Sequence, residues 1–201
     1  MNHNRRQRGG HARRPLEPVA RRPRLADRTT RQRQIATSAR ALLEQEGPAA
    51  LTMRQLAAAL DIAAPSLYKH VPGKEAVAAM LVEDALIESG DTLRSALGRC
   101  DEATAPAEAV LTAYRRYAVA HPHLYRLVTG PGFRRDLLTP GLEDWSGEPF
   151  YLVTGEPHLA QAMWAFAHGA VVLEIDRRLA DPGTLERTWQ SAARAFTDAA
   201  D

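Results

Sequence analysis

The chain has 201 residues, 45% of them hydrophobic and 25% charged, with 13 glycines, 13 prolines and one cysteine. That content fills one core or two small ones and excludes collagen-like, wholly disordered and disulfide-scaffold proteins. The formal net charge of +2 conceals a split: residues 1–34 hold eleven Arg, no Lys and only Glu17 and Asp27, a net +9 that leaves −7 on the remainder.

Halves of opposite sign point to different partners, with the basic segment suited to a polyanion. Cys100 cannot close a disulfide within the chain, and no apolar stretch follows the first arginines as a secretory signal requires, so a cytoplasmic location is expected. The longest apolar run, residues 159–175, contains Gln161, His168 and Glu174. It falls short of the roughly 20 clean residues of a membrane span, and no membrane contact is expected.

Residues 1–28 lack apolar periodicity and carry Pro15, Pro18, Pro23 and a Gly9-Gly10 pair, which reads as a disordered Arg-rich arm. Beyond it, proline-free stretches mark where long helices fit, because an interior proline removes a hydrogen bond and clashes with the preceding turn. They are residues 24–47, 73–105, 107–121, 158–181 and 183–201, and no segment alternates like a half-buried strand, so the chain reads as all-α. Thr29-x-x-Gln32 predicts a capping box opening a first helix that ends at Gly47, with Ile35, Ala39, Leu42 and Leu43 on one face.

Residues 51–74 read LTMRQLAAALDIAAPSLYKHVPGK. Thr52-x-x-Gln55 is a second capping box, and Leu51 and Leu56 are placed as a hydrophobic staple. The helix runs to about Leu60, Asp61 occupies a tight turn, and a short helix follows from Pro65 to Val71. This is helix-turn-helix spacing, in which the second helix presents its N-terminal residues to base edges. If Leu67 and Val71 face the core, Ser66 and Lys69 point outward. A helical hairpin with a solvated polar face is the plain alternative.

The run TMRQLAAALDIAAPSLYKHVPGK, with its L-Y-x-H-V-x-x-K core, resembles the N-terminal domain of TetR-family transcriptional regulators over about residues 29–90. The resemblance implies a double-stranded DNA partner with a palindromic operator. By position, Thr52, Tyr68, His70 and Lys74 match phosphate-contacting residues, and Arg54, Ala64, Pro65, Ser66 and Lys69 match residues facing bases. Asp61 stands where the family has a turn glycine, and Ala63-Ala64 replaces a polar pair. Hydrogen-bond readout then rests on Arg54, Ser66 and Lys69, while Ala64 is limited to a thymine methyl.

Eleven of the twelve aromatic residues lie between Tyr114 and Phe196, so the second part of the chain has a different kind of interior. The expected division is an arm over 1–28, a helix-turn-helix DNA-binding domain over 29–75, and a ligand-binding and dimerisation domain over 76–201, with helix 73–95 joining the last two. Helix 158–181 is apolar nearly all round and predicts cover on every side, with Ala160, Ala167, Gly169 and Ala170 small enough for close approach by a partner. With helix 183–200 it would form a four-helix homodimer interface.

Trp164-Ala-Phe-Ala-His168-Gly169, preceded by His121-Pro122-x-Leu124-Tyr125, resembles a Trp…His-Gly motif of one TetR-family subgroup, whose C-terminal domain binds a small molecule. That resemblance implies an effector of unknown identity, with Tyr114, Tyr125, Trp145, Phe150, Met163, Trp164 and His168 as candidate pocket residues. Tyr114, Phe150 and Met163 read more readily as core, and His168 equally as a buried, hydrogen-bonded histidine.

Where the family has a long pocket-lining helix, residues 128–157 are rich in Gly and Pro; at best two short helical turns are expected, as a lid carrying Trp145 or Phe150 or as a surface loop. An enzyme is not expected. His168 and Glu174 lie on different helix faces, and no phosphate loop, nucleophile elbow or metal spacing occurs, so no catalytic residue, metal or cofactor is assigned. The reading is thus a ligand-released repressor; the alternative is a non-specific DNA-architectural or RNA-binding protein led by the basic arm.

Overall fold

Helix α1 (Thr30–Glu46) starts where side chains replace missing helical partners. In the computed structural model, which describes residues 21–101, 104–130, 133–179 and 181–200, Thr29 Oγ1 accepts from Gln32 N at 3.2 Å and Gln32 Oε1 accepts from Thr29 N at 2.9 Å. Both halves of the capping box therefore form. Helix α2 (Met53–Ala59) is capped on one side only: Thr52 Oγ1 accepts from Gln55 N, but Gln55 Oε1 bonds the Thr52 hydroxyl instead of its backbone.

Asp61 takes the left-handed turn at φ +50°. Helix α3 (Ala64–Leu67) is one turn, shorter than the expected 65–71 and begun one residue earlier, with Pro65 at its second position. Ala63 offers no side-chain cap, and residues 68–70 continue as turns, with Val71 N bonded to Leu67 O at 3.1 Å.

Helices α4 (Lys74–Leu97), α5 (Pro106–Ala120), α6 (Pro122–Thr129), α7 (Leu142–Thr154), α8 (Pro157–Ile175) and α9 (Pro182–Ala200) complete an all-α fold with no strand among the described residues. Three apolar clusters hold it. Ile35, Leu43, Leu56 and Leu67 meet Val77 and Leu81 of α4 and Leu124 of α6. Val110, Leu111, Met163, Ala167, Val171 and Trp189 fill the second with Leu93 of α4. Val82 and Leu86 of α4 meet Leu142 and Trp145 in the third. Helix α4 thus belongs to all three. No described helix is long and apolar enough to cross a membrane.

The 13-residue helix α7 corrects the expected lid or loop. Gly141 (φ +75°) and Gly155 (φ +65°) turn left-handed at its two ends, so they bound the helix and do not break it. Pro149 lies inside and cannot donate to the carbonyl four residues back. Arg94 Nη2 donates to that carbonyl, Trp145 O, at 2.5 Å. The same guanidinium lies 4.0 Å from the Trp145 ring centroid and pairs with Glu148 at 2.7 Å. The Trp145 ring fills the notch left by Gly90, where a Cβ would come within 2.5 Å of Cζ3.

The end of the expected arm is docked. The Arg28 guanidinium bonds Asp84 at 2.8 Å, Glu83 at 3.0 Å and Met80 O at 3.1 Å, Leu25 packs on the third cluster, and Arg22 reaches Asp91 at 3.1 Å. Acidic side chains of α4 hold this stretch, which departs from a free arm up to residue 28. Residues 1–20 of the expected arm lie outside the described residues.

Candidate DNA interface and cavity

In the helix-turn-helix unit, Leu67 is fully buried and Val71 nearly so, which fixes the outward face of α3. Tyr68 is 54% exposed, and Lys69 and His70 follow it on the surface. Arg54 of α2, Thr52 and Pro65 are exposed, Ala64 and Ser66 half-buried, and Lys74 opens α4 next to Gly73, which gives no side-chain cap. All nine predicted DNA-contact positions thus keep some surface. The Thr52 hydroxyl is engaged with Gln55 at 2.9 Å, and His70 O accepts from Gln32 Nε2 of α1 at 3.1 Å, which ties the turn after α3 to α1. Uncapped N–H groups at the start of α4 beside Lys74 suit a phosphate oxygen.

A cavity of about 600 Å³ lies among α4, α5, α6, α7 and α8, within the range of small-molecule sites. Of the predicted pocket residues, Tyr114, Tyr125, Phe150, Trp164 and His168 line it. Trp145 and Met163 do not. Trp145 is 3% exposed against α4, and Met163 is fully enclosed in the second cluster. Tyr117, Ser89, Asp144 and Glu148 line the cavity without having been singled out. Asp144 and Glu148 share a face only if 142–154 is a helix, and its Gly and Pro content hid that spacing.

The apolar wall carries one polar chain. Tyr114 Oη and Tyr125 Oη are 2.9 Å apart, and Tyr125 Oη is 2.6 Å from His168 Nδ1. Trp164 stacks on His168 with centroids 5.6 Å apart. Burial raises the pKa of both phenols and lowers that of His168, so the chain is neutral near pH 7. Folding thus disfavours the imidazolium, and the unfolded chain binds that proton more readily. Stability should fall as pH drops below the ordinary histidine value of about 6.5, toward the lower folded value. His168→Asn should flatten that slope in thermal unfolding between about pH 5 and 7.5; an unchanged slope would assign it elsewhere. Glu174, the carboxylate considered with His168 in the enzyme reading, is held by Arg115 at 2.9 Å.

The cavity also connects to the DNA-binding unit. Tyr117 Oη donates to Glu88 Oε2 of α4 at 3.1 Å, and Arg40 of α1 bonds both Glu88 oxygens, Nη2 to Oε2 at 2.8 Å. Burial works to raise the Glu88 pKa, but the Arg40 hydrogen bonds and charge outweigh it and hold the carboxylate ionised. Burial and then the Glu88 charge push Tyr117 well above the usual phenol range. Glu44 of α1 meets His121 Nδ1 at 3.0 Å.

A helix-turn-helix unit with an exposed polar reading face, joined by one long helix to a helical body holding a ligand-sized cavity, defines a DNA-binding regulator. The family model described as bacterial regulatory proteins, tetR family, matches residues 35–81, and that described as tetracyclin repressor-like, C-terminal domain, matches residues 107–196. The chain belongs to the TetR family and is a DNA-binding transcriptional regulator, not an enzyme.

Its fold is similar to that of a Rhodococcus sp. RHA1 protein of unknown function, at TM-score 0.70 and 21% identity over 85% of this chain and 95% of that one. BioQ, solved with its natural double-stranded DNA operator, gives 0.53 and 19% over 83% and 97%. A TetR variant from Acinetobacter baumannii AYE in complex with minocycline gives 0.54 and 16% over 88% and 95%. No curated protein matches the chain.

Proposed function

We propose that the chain is a homodimeric repressor, released from a palindromic operator when a small molecule enters the cavity between α4 and α8. The observation that carries this reading is the hydrogen-bonded path from cavity-lining Tyr117 through Glu88 to Arg40, since it joins the cavity to a helix of the DNA-binding unit. A ligand that shifts Tyr117 alters α1 through charged groups, and any preference for the shifted state lowers DNA affinity by linkage. BioQ with its operator and the TetR variant with minocycline are relatives of the same fold in which the two kinds of partner occur singly.

The proposed dimer uses α8 and α9, with a different small-residue stripe from the one read in the sequence. Ala160, Ala167 and Ala170 are buried in the chain's own core, because α8 turns that face to α5 and α7. Ala162, Ala165 and Leu173 stay exposed, Gly169 has nothing within 4 Å of a Cβ position, and Phe166 borders a shallow depression with Ala192 and Phe196 of α9. Covering that apolar face is the role of the second subunit.

Selection of binding sites with purified protein, followed by footprinting, tests the reading. One inverted repeat, with half-sites about one helical turn or a multiple apart, is expected. Salt-dependent protection of any duplex, or preference for RNA, would replace it with the architectural alternative.

A further inference from the structure

The walls of the cavity differ in charge and chemistry. Tyr125, Phe150 and Trp164 present ring surface, Trp164 while 43% exposed, and aromatic faces carry partial negative charge. On the α7 side, Asp144 and Glu148 lie one turn apart in the lining, with Glu143 beside them. Glu148 is only 8% exposed and shares Arg94, whose guanidinium is not part of the lining. The Asp144 side chain has no hydrogen-bond or ion-pair partner among the described residues. Arg135 is the sole arginine or lysine among the described lining residues, and Glu143 already pairs with it.

An anion entering here sets its charge against Asp144 and Glu148 with no unpaired cation to answer it. A cation gains the Asp144 carboxylate, a share of Glu148 and the ring faces. We propose that the cavity takes a small molecule with a flat aromatic body and a protonated amine, the rings lying along Trp164 and Tyr125 and the amine directed to Asp144 and Glu148. The Tyr114–Tyr125–His168 chain, neutral and hydrogen-bonded, accommodates an uncharged polar substituent at the opposite wall. This assignment rests on reading the cavity as the effector site.

Three probes of one shape separate the possibilities: 1-naphthylmethylamine, 1-naphthalenemethanol and 1-naphthoate, titrated calorimetrically into the full chain. The amine is expected to bind at least about tenfold more tightly than the alcohol, and the acid most weakly, consistent with a charge interaction in a partly desolvated site. Asp144→Asn, at an exposed position outside the apolar clusters, should remove most of the amine's advantage and leave the alcohol unchanged. Glu148→Gln should do the same where its thermal unfolding matches the parent. Equal or better binding of alcohol or acid would overturn the charge assignment while keeping the cavity as a ligand site. No binding of any probe would overturn both.

Discussion

Lys69→Ala is expected to bind the operator about tenfold to a hundredfold more weakly than the parent chain, the worth of one good base contact of about 1–3 kcal/mol, and to lose discrimination at one base position. On random duplex its loss should be small. Lys69 is exposed two residues after fully buried Leu67, so core packing sets where its ammonium points. Arg54→Ala, on the neighbouring α2, should behave alike. Lys74→Ala and Tyr68→Phe should instead weaken operator and random duplex by the same factor, with the Lys74 change reducing the salt slope by about one contact. Fluorescence anisotropy on both duplexes at several salt concentrations separates the classes. Equal losses for Lys69→Ala on both DNAs would assign it to phosphate.

Glu88→Gln carries the second large effect. The amide keeps the size of the side chain but cannot accept from Arg40 and Tyr117 as a carboxylate does, so the cavity and α1 lose their shared charge. Operator affinity without ligand should stay within about threefold of the parent, while the shift in affinity produced by ligand shrinks from about 5–150-fold, the usual span of allosteric coupling, toward none. Tyr117→Phe, which removes one hydroxyl, should give a smaller change in the same direction. Ligand affinity measured without DNA separates lost coupling from lost binding. A parent-like release curve at unchanged ligand affinity would place the coupling elsewhere, for instance through Glu44 and His121.

The parts legible in the sequence are those governed by near neighbours. The α1 capping box, the left-handed Asp61 and the buried Leu67 each depend on residues within a few positions, and each stands in the structure as read. Helix α7 was hidden because its compensation is tertiary: the carbonyl freed by Pro149 is bonded by Arg94, on a different helix. Trp145 reads as a pocket aromatic until Gly90 supplies the notch that takes its ring. Met163 faces the core for a similar reason, since helical spacing shows which residues share a face but not whether that face meets a cavity or a neighbour. Arg28 looks like part of a DNA-binding charge block, yet Glu83 and Asp84, distant in sequence, claim it.

If the proposed ligand response moves α4, the Arg94 clamp decides where that movement can hinge. Sliding α7 along α4 would strand the Trp145 carbonyl without its donor and drive the ring into the backbone at Gly90, so the two helices must travel as one stiff plate. Displacement then has to be taken up on the other side of α4, where α1 and α6 rest on it and the links are side chains of Arg40, Glu44 and His121 that can exchange partners. Pro149, through the carbonyl it frees for Arg94, thereby selects the side of α4 on which the proposed response would turn.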